Sequence, residues 1–137
     1  MLVAENGEYT HAFEIRFEYH CSPFKEAAII DNVIGVGHEA RFYMLNLADN
    51  KLLCKLEVDG YFGHIYTNNG LFYVADASYL HCINTKGEAV WKSNPLGIDG
   101  VIVEDFDETF ISGAGEWDPP DGWRDFKLDL VTGKIIS

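Results

Sequence analysis

The sequence predicts an all-β protein built from many short antiparallel strands, and two observations carry that prediction. Apolar and charged residues alternate with a period of two, most clearly over residues 13–19, as in a strand with one buried face. Asn, Asp and Gly residues at 31–32, 59–60 and 68–70 separate such runs and suit the positive φ angles of tight hairpins. The one helix candidate, 23–28, is short.

The predicted strands follow one another at short intervals along the chain. After 13–19 they span 28–31, 33–36, 42–47, 52–58, 62–67, 71–75, 79–83, 89–91, 101–103, 109–111, 126–130 and 134–136. The 137 residues suit one domain, because a chain of roughly 150 residues buries about 70% of its unfolded surface. We expect a single domain over 1–137, with a strand and linker in 1–26 and three repeats in 27–137.

The repeats share one plan: two strands joined by a tight turn, a variable link, a strand that ends in Asn or Asp, a polar turn and a last strand. The equivalent residues Asn46, Asn84 and Asp129 lie at intervals of 38 and 45 residues. The second repeat, with LFYVAD at 71–76 and INTKGEAVWK at 83–92, resembles the blades of quinoprotein-like and WD-type β-propellers. Those blades read roughly LYVAD…LYALD…TGELLWK.

The resemblance is looser in the other two repeats and covers about 27–137. It implies a partial, open β-propeller of about three blades, since a closed ring takes roughly 4–8. Such a fan has unpaired edge strands, which implies that the termini, a second copy or a partner covers them. A sandwich or one long twisted sheet is the alternative packing.

Charge excludes several classes of partner. The chain has 10 Lys and Arg against 22 Asp and Glu, a net charge of −12, which argues against binding nucleic acid or an anionic membrane.

Residues 1–7 lack the basic and apolar regions of a signal peptide. The three cysteines match no zinc or disulfide pattern. We therefore expect a cytoplasmic protein whose Cys54, predicted on the same side as Leu52 and Leu56, and Cys82 are buried thiols.

Nothing in the sequence has the spacing of a catalytic, cofactor or metal site, so we predict no enzyme activity, no cofactor and no metal. The five histidines are never paired at i, i+2 or i, i+4. The stretch 35–40 (GVGHEA) is followed by a strand at 41–45 rather than by the helix of a dinucleotide site, which favours a hairpin or bulge. The acidic turn 105–108 lacks the glycine and third ligand of a calcium loop.

The stretch 113–123, read as a loop, interrupts the third repeat and holds two of the three tryptophans. Aromatic residues on rigidly held loops are frequent binding sites, although both rings could instead fill the core. Residues 99–129 carry ten acids and two bases. The sequence therefore predicts a partner-binding surface formed by Asp105, Asp107, Glu108, Glu116, Trp117, Asp118, Asp121 and Trp123.

In size, charge and lack of catalytic motifs the chain resembles, by type, the immunity proteins of contact-dependent growth inhibition and polymorphic toxin systems. That resemblance implies an inhibitor of a basic toxin domain, such as a nuclease, whose active site it occludes. Carboxylates would take the place of phosphates in the basic cleft. The alternative is a non-catalytic, propeller-like scaffold for a protein or ligand, which oligomerises or docks onto a larger partner.

Overall fold

The computed structural model describes residues 2–5, 9–13, 25–118 and 122–136, and all regular structure within them is β-strand. The strands form a hairpin and three antiparallel sheets, so the all-β prediction is confirmed. The hairpin pairs β1 (Leu2–Glu5) with β2 (Tyr9–Phe13). No helix in these residues has the length and apolarity needed to cross a membrane.

Each sheet is a meander in which consecutive strands are neighbours. Sheet 1 consists of β3 (Lys25–Ile30), β4 (Val33–His38), β5 (Arg41–Asn46) and β6 (Lys51–Glu57). Sheet 2 consists of β7 (Phe62–Asn68), β8 (Leu71–Asp76), β9 (Leu80–Ile83) and β10 (Ala89–Lys92). Sheet 3 consists of β11 (Val101–Phe106), β12 (Phe110–Glu116) and β13 (Trp123–Asp129).

The strand predictions from 28 onward are confirmed, with two corrections. Residues 25–28 of the helix candidate belong to β3, because they pair with β4. The predicted strand 134–136 is reduced to a single bridge between Leu128 and Ile135. Of the predicted strand 13–19, only Phe13 lies within the described residues, at the end of β2.

The turns after the third strand of the three sheets are built alike. In each turn the side chain of the anchor residue accepts backbone hydrogen bonds. Asn46 Oδ1 accepts from Ala48 N at 2.9 Å, and Asn84 Oδ1 accepts from Lys86 N at 3.0 Å. Asp129 Oδ1 accepts from Val131 N at 2.9 Å. Asn and Asp recur at these positions because their short side chains close such turns.

Sheet 2 lies between sheets 1 and 3 and contributes to two hydrophobic cores. Along β8, Phe72 and Val74 pack against sheet 1, whereas Tyr73 and Ala75 pack against sheet 3. Successive side chains of a strand point to opposite faces, which explains why β8 is apolar at nearly every position. A strand buried on both faces needs no polar alternation.

The first strands of the three sheets lie next to one another, since β7 contacts both β3 and β11. The Glu26 carboxylate on β3 accepts a hydrogen bond from Ile65 N on β7 at 2.9 Å and lies 2.7 Å from His64 Nδ1. On the other side of β7, the Tyr66 hydroxyl accepts a hydrogen bond from Val103 N on β11 at 3.1 Å. Side chains of β7 thus join all three sheets.

Gly35 and Gly37 lie inside β4, which forms a hairpin with β5 through a turn at 39–40, so the predicted hairpin is confirmed. A Cβ at Gly35 would come within 2.8 Å of the Phe42 ring, and a Cβ at Gly37 would overlap the Phe62 ring. Both rings are fully buried between sheets 1 and 2. The glycines are therefore needed because aromatic rings occupy the space above them.

The thiol predictions hold for Cys82 and differ for Cys54. Burial raises the pKa of Cys82 to about 11, so the group is a protonated small hydrophobe at neutral pH. A bulge shifts the register of β6, so that Cys54 pairs with Met44 but Leu52 pairs with Leu45. Leu52 therefore lies on the opposite face from Cys54 and is exposed. Cys21 lies outside the described residues.

Replacing Gly37 with Ala tests the packing of the Phe62 ring. We expect Gly37→Ala to lower the free energy of unfolding by about 1–3 kcal/mol, the usual cost of overpacking a core. Phe62→Leu makes room for the added methyl group, so the double variant should be more stable than the sum of the two single effects by at least about 0.5 kcal/mol. Urea denaturation measures all four proteins, and strictly additive effects would contradict the contact.

Candidate functional site

The strongest candidate for a functional surface is one end of the sheets, which we call the linker end. It comprises the β4–β5 and β8–β9 turns, the adjoining ends of β12 and β13, and the two linkers between sheets, 58–61 and 93–100. Backbone hydrogen bonds cross it from one sheet to the next. Ala77 N donates to Asp59 O at 3.2 Å, Gly100 N to Ala77 O at 2.9 Å, and Glu116 N to Gly100 O at 2.9 Å. This end of the molecule is therefore a rigid frame.

Asp76, at the end of β8, organises the frame. Its Oδ2 accepts a hydrogen bond from Asp59 N at 2.9 Å and lies 2.7 Å from His81 Nε2. Its Oδ1 accepts from Ser78 N at 2.9 Å and from Tyr79 N at 2.6 Å. Asp76 is 1% exposed, so one buried carboxylate connects the first linker, the β8–β9 turn and β9.

The ionised form of Asp76 is stabilised by these contacts. Burial alone would raise the pKa of its carboxyl, but the hydrogen bonds from His81 and from three backbone amides outweigh it, and the pKa is lowered. A carboxylate that accepts several hydrogen bonds favours its charged form in this way. Because Asp76 and His81 are both buried, the pair supports the surface from below.

The structure divides the predicted partner-binding residues between two ends of sheet 3. Glu116, Trp117, Asp118 and Trp123 lie at the linker end, whereas Asp105, Asp107 and Glu108 lie at the opposite end, in and after β11. The length of β12 separates the two groups by about 20 Å at the usual rise per residue. Asp121 lies outside the described residues. The predicted residues therefore do not form one cluster.

The long loop predicted at 113–123 is shorter in the structure, because β12 extends to Glu116 and β13 begins at Trp123. A Cβ at Gly115 would overlap the carbonyl oxygen of Leu96, so the small residue lets the second linker lie directly on β12. Glu116 is only 9% exposed, so little of its side chain lies on the outer surface.

Two aromatic side chains meet at Gly100 on the linker end. Gly100 has a φ of 143°, and a Cβ there would lie 3.3 Å from Trp123 Cη2 and 3.6 Å from the Tyr61 hydroxyl oxygen. The Tyr61 hydroxyl donates a hydrogen bond to the carbonyl oxygen of Asp99 at 2.8 Å. Trp123 is 43% exposed and Trp117 is half-buried, so neither ring belongs to the core clusters.

Acidic side chains give the linker end a negative electrostatic potential. Burial, and after it the charges of Asp99, Glu116 and Asp76, raises the pKa of Tyr61. Sequence reasoning did not identify Tyr61 as part of this surface, and it included Asp99 only in the acidic stretch 99–129. Both residues lie in linkers, far from the tryptophans in sequence. Only the alternation of sheets and linkers could have suggested that 58–61 and 93–100 meet at the same end. In the described part of the chain, no three His, Cys, Asp or Glu residues could hold a metal ion together.

The chain matches no model of a protein family and no curated protein. Among solved structures it is similar to the computationally designed Ika8 protein, with a TM-score of 0.65 and 12% sequence identity. The match covers 88% of this chain and 37% of the Ika8 chain, so this chain spans little more than a third of that protein. At this identity the likeness concerns the fold alone.

Removing the charge of Asp76 tests its role in the frame. We expect Asp76→Asn to lower the free energy of unfolding at pH 7 by about 1–3 kcal/mol, because the side-chain amide cannot accept all the backbone hydrogen bonds that the buried carboxylate accepts. The lowered pKa of Asp76 means that its contribution is complete above the ordinary carboxyl value of about 3.9 and is lost as the pH falls through the folded value.

Urea denaturation between pH 7 and pH 2.5 measures this dependence. The variant should lack the part of the acid-induced destabilisation that Asp76 causes. Asp105→Asn, at an exposed position, is the matched control and should change stability by less than about 0.5 kcal/mol. Equal stability of Asp76→Asn and Asp105→Asn at pH 7 would contradict the proposed frame.

Proposed function

We propose that this chain is a non-catalytic, acidic inhibitor protein that binds a basic partner through the linker end, as an immunity protein neutralises a nuclease toxin. The observation that carries the proposal is Trp123, an exposed indole on a rigid β-strand beside Tyr61, with the carboxylates of Asp99 and Asp118 exposed nearby. Exposed tryptophans on a preorganised frame are typical anchors of protein interfaces.

The net charge of −12 supports a basic partner. A like-charged surface destabilises its own fold by self-repulsion, and a basic partner would offset that cost. Complementary charge also speeds association. A basic cleft that normally binds phosphates would accept the carboxylates of the linker end, and the bound protein would then cover the active site of the toxin.

We further propose that the three sheets are blades of an open, propeller-like fan. Three features support this arrangement: the repeated meander, the contacts of β7 with β3 and β11, and the shared turn anchors. In such a fan the first strand of each sheet is the innermost strand. The linkers and the adjoining ends of β12 and β13 then lie on one side of the fan. That geometry suits the presentation of a small binding surface from several loops.

A scaffold that oligomerises or docks onto a larger protein is the second candidate. It is favoured by the last segment of sheet 3, where only the Leu128–Ile135 bridge stands in place of a fourth strand. Val131, Ile135 and Ile136 are exposed there. Light scattering at several protein concentrations separates the two candidates, since a monomer at all concentrations would contradict self-association.

The inhibitor proposal is tested by co-expression with any basic toxin domain that is encoded next to this chain. Cells that produce both proteins should survive, whereas cells that produce the toxin alone should die. Titration calorimetry should give a 1:1 complex whose affinity falls as salt increases, because the interaction is electrostatic. Death of the cells despite a well-expressed, folded chain would overturn the proposal, as would the absence of any toxin in the gene neighbourhood.

Two charge-matched variants test where the partner binds. The pair Asp99→Asn and Asp118→Asn removes two charges at the linker end, and the pair Asp105→Asn and Asp107→Asn removes two at the opposite end. We expect the first pair to slow association with the toxin about tenfold, whereas the second should slow it less than about threefold. Both pairs remove the same charge and change the long-range field equally, so a difference between them reports where the partner binds. Stopped-flow association rates measure the difference, and equal effects would contradict binding through the linker end.

A further inference from the structure

The residue Glu116 is largely buried although its carboxylate accepts no hydrogen bond from the described residues. It is 9% exposed, and no ion pair reaches its side chain from the same part of the chain. Its oxygens are not among the sealed, unsatisfied polar atoms there, so solvent reaches them. Buried carboxylates normally have a donor or a cationic partner, so this arrangement suits an external cation.

Two aromatic side chains flank this carboxylate. Trp123 pairs directly with Glu116 across β12 and β13, so both side chains lie on one face of the sheet. Gly100 lies on the other side of Glu116, and its carbonyl oxygen accepts a hydrogen bond from the Glu116 backbone amide. The tip of the Trp123 indole also approaches Gly100. Tyr61 approaches the same glycine from the first linker.

We propose that Glu116, Trp123 and Tyr61 form a receptor for a single arginine side chain of the partner, an inference that rests on the proposed function. A guanidinium group stacks on an exposed indole face and donates two parallel hydrogen bonds to a carboxylate. Gly100 has no side chain between the two rings, where a Cβ would contact both of them. This receptor adds one specific contact to an interface that is otherwise defined only by its charge.

The bond that Tyr61 makes to the backbone of Asp99 holds one wall of the receptor in place. The opposite wall is held by β13, which pairs with β12 over its whole length. Neither wall needs to form upon binding, so little conformational entropy is lost when the arginine side chain docks. Asp99 and Asp118 surround the opening with negative charge and attract the cation without contacting it directly.

The experiment uses Nα-acetyl-arginine amide as the cationic probe and Nα-acetyl-citrulline amide as its neutral, nearly isosteric control. The Nε1–H signal of Trp123 in ¹⁵N-labelled full-length protein, assigned by its loss in Trp123→Phe, reports binding. We expect saturable shifts with the arginine probe and an affinity at least tenfold lower for the citrulline probe. Equal affinities for the two probes, or no shift at all, would overturn the receptor.

Variants locate the binding site. Glu116→Gln keeps the shape of the side chain and should weaken binding of the arginine probe at least tenfold, whereas Asp118→Asn removes the same charge nearby and should change it less than about threefold. Trp123→Leu keeps apolar bulk at an exposed position, removes the stacking face and should also weaken binding. Equal losses in Glu116→Gln and Asp118→Asn would reduce the effect to general electrostatics and overturn the receptor.

The same variants separate this inference from the proposed function. If Glu116→Gln still protects cells from the toxin and binds it with unchanged affinity, the arginine receptor is wrong and the inhibitor proposal stands. If the arginine probe binds as expected but no toxin is neutralised, the receptor stands and the inhibitor proposal is wrong.

Discussion

The arrangement of the three sheets depends most on the Asp76 carboxylate. It is fully buried, and it binds the linker that leaves sheet 1, the turn that follows β8, and the imidazole of His81 on β9. The backbone hydrogen bonds through Asp59, Ala77, Gly100 and Glu116 continue from this point to sheet 3. A buried charge is stable only when its hydrogen-bonding capacity is filled, so the linkers and turns around Asp76 have little freedom to move.

That rigidity explains how loops and linkers can carry a defined surface. Tyr61 and Gly100 come from linkers, and Trp123 comes from the start of a strand. Their relative positions are nevertheless determined by backbone hydrogen bonds that cross from sheet to sheet. Binding sites on loops are usually effective when a stable scaffold positions them. Here the scaffold includes the loops themselves, because their backbone groups pair with one another.

The fold class and the repeats could be predicted from the sequence because both depend on local signals. The period of two gave the strands, and Asn46, Asn84 and Asp129 identified equivalent turns. The corrections concern effects of packing. The glycines of β4 make room for the Phe42 and Phe62 rings, which are distant in sequence. The burial of Glu116, the exposure of Leu52 and the meeting of Tyr61 with Trp123 likewise depend on registers and linker paths that no local pattern records.

Because sheet 2 supplies one wall to each of the two cores, the repeats are not interchangeable units. In a linear array of repeats, each unit contacts only its neighbours, and an end unit can unravel while the others persist. Here the loss of sheet 1 or sheet 3 would expose one entire apolar face of β8, and the loss of sheet 1 would also remove the Asp59 amide from Asp76. The three repeats therefore share one cooperative transition, and evolution could not shorten or extend the array by a single repeat without rebuilding a terminal face.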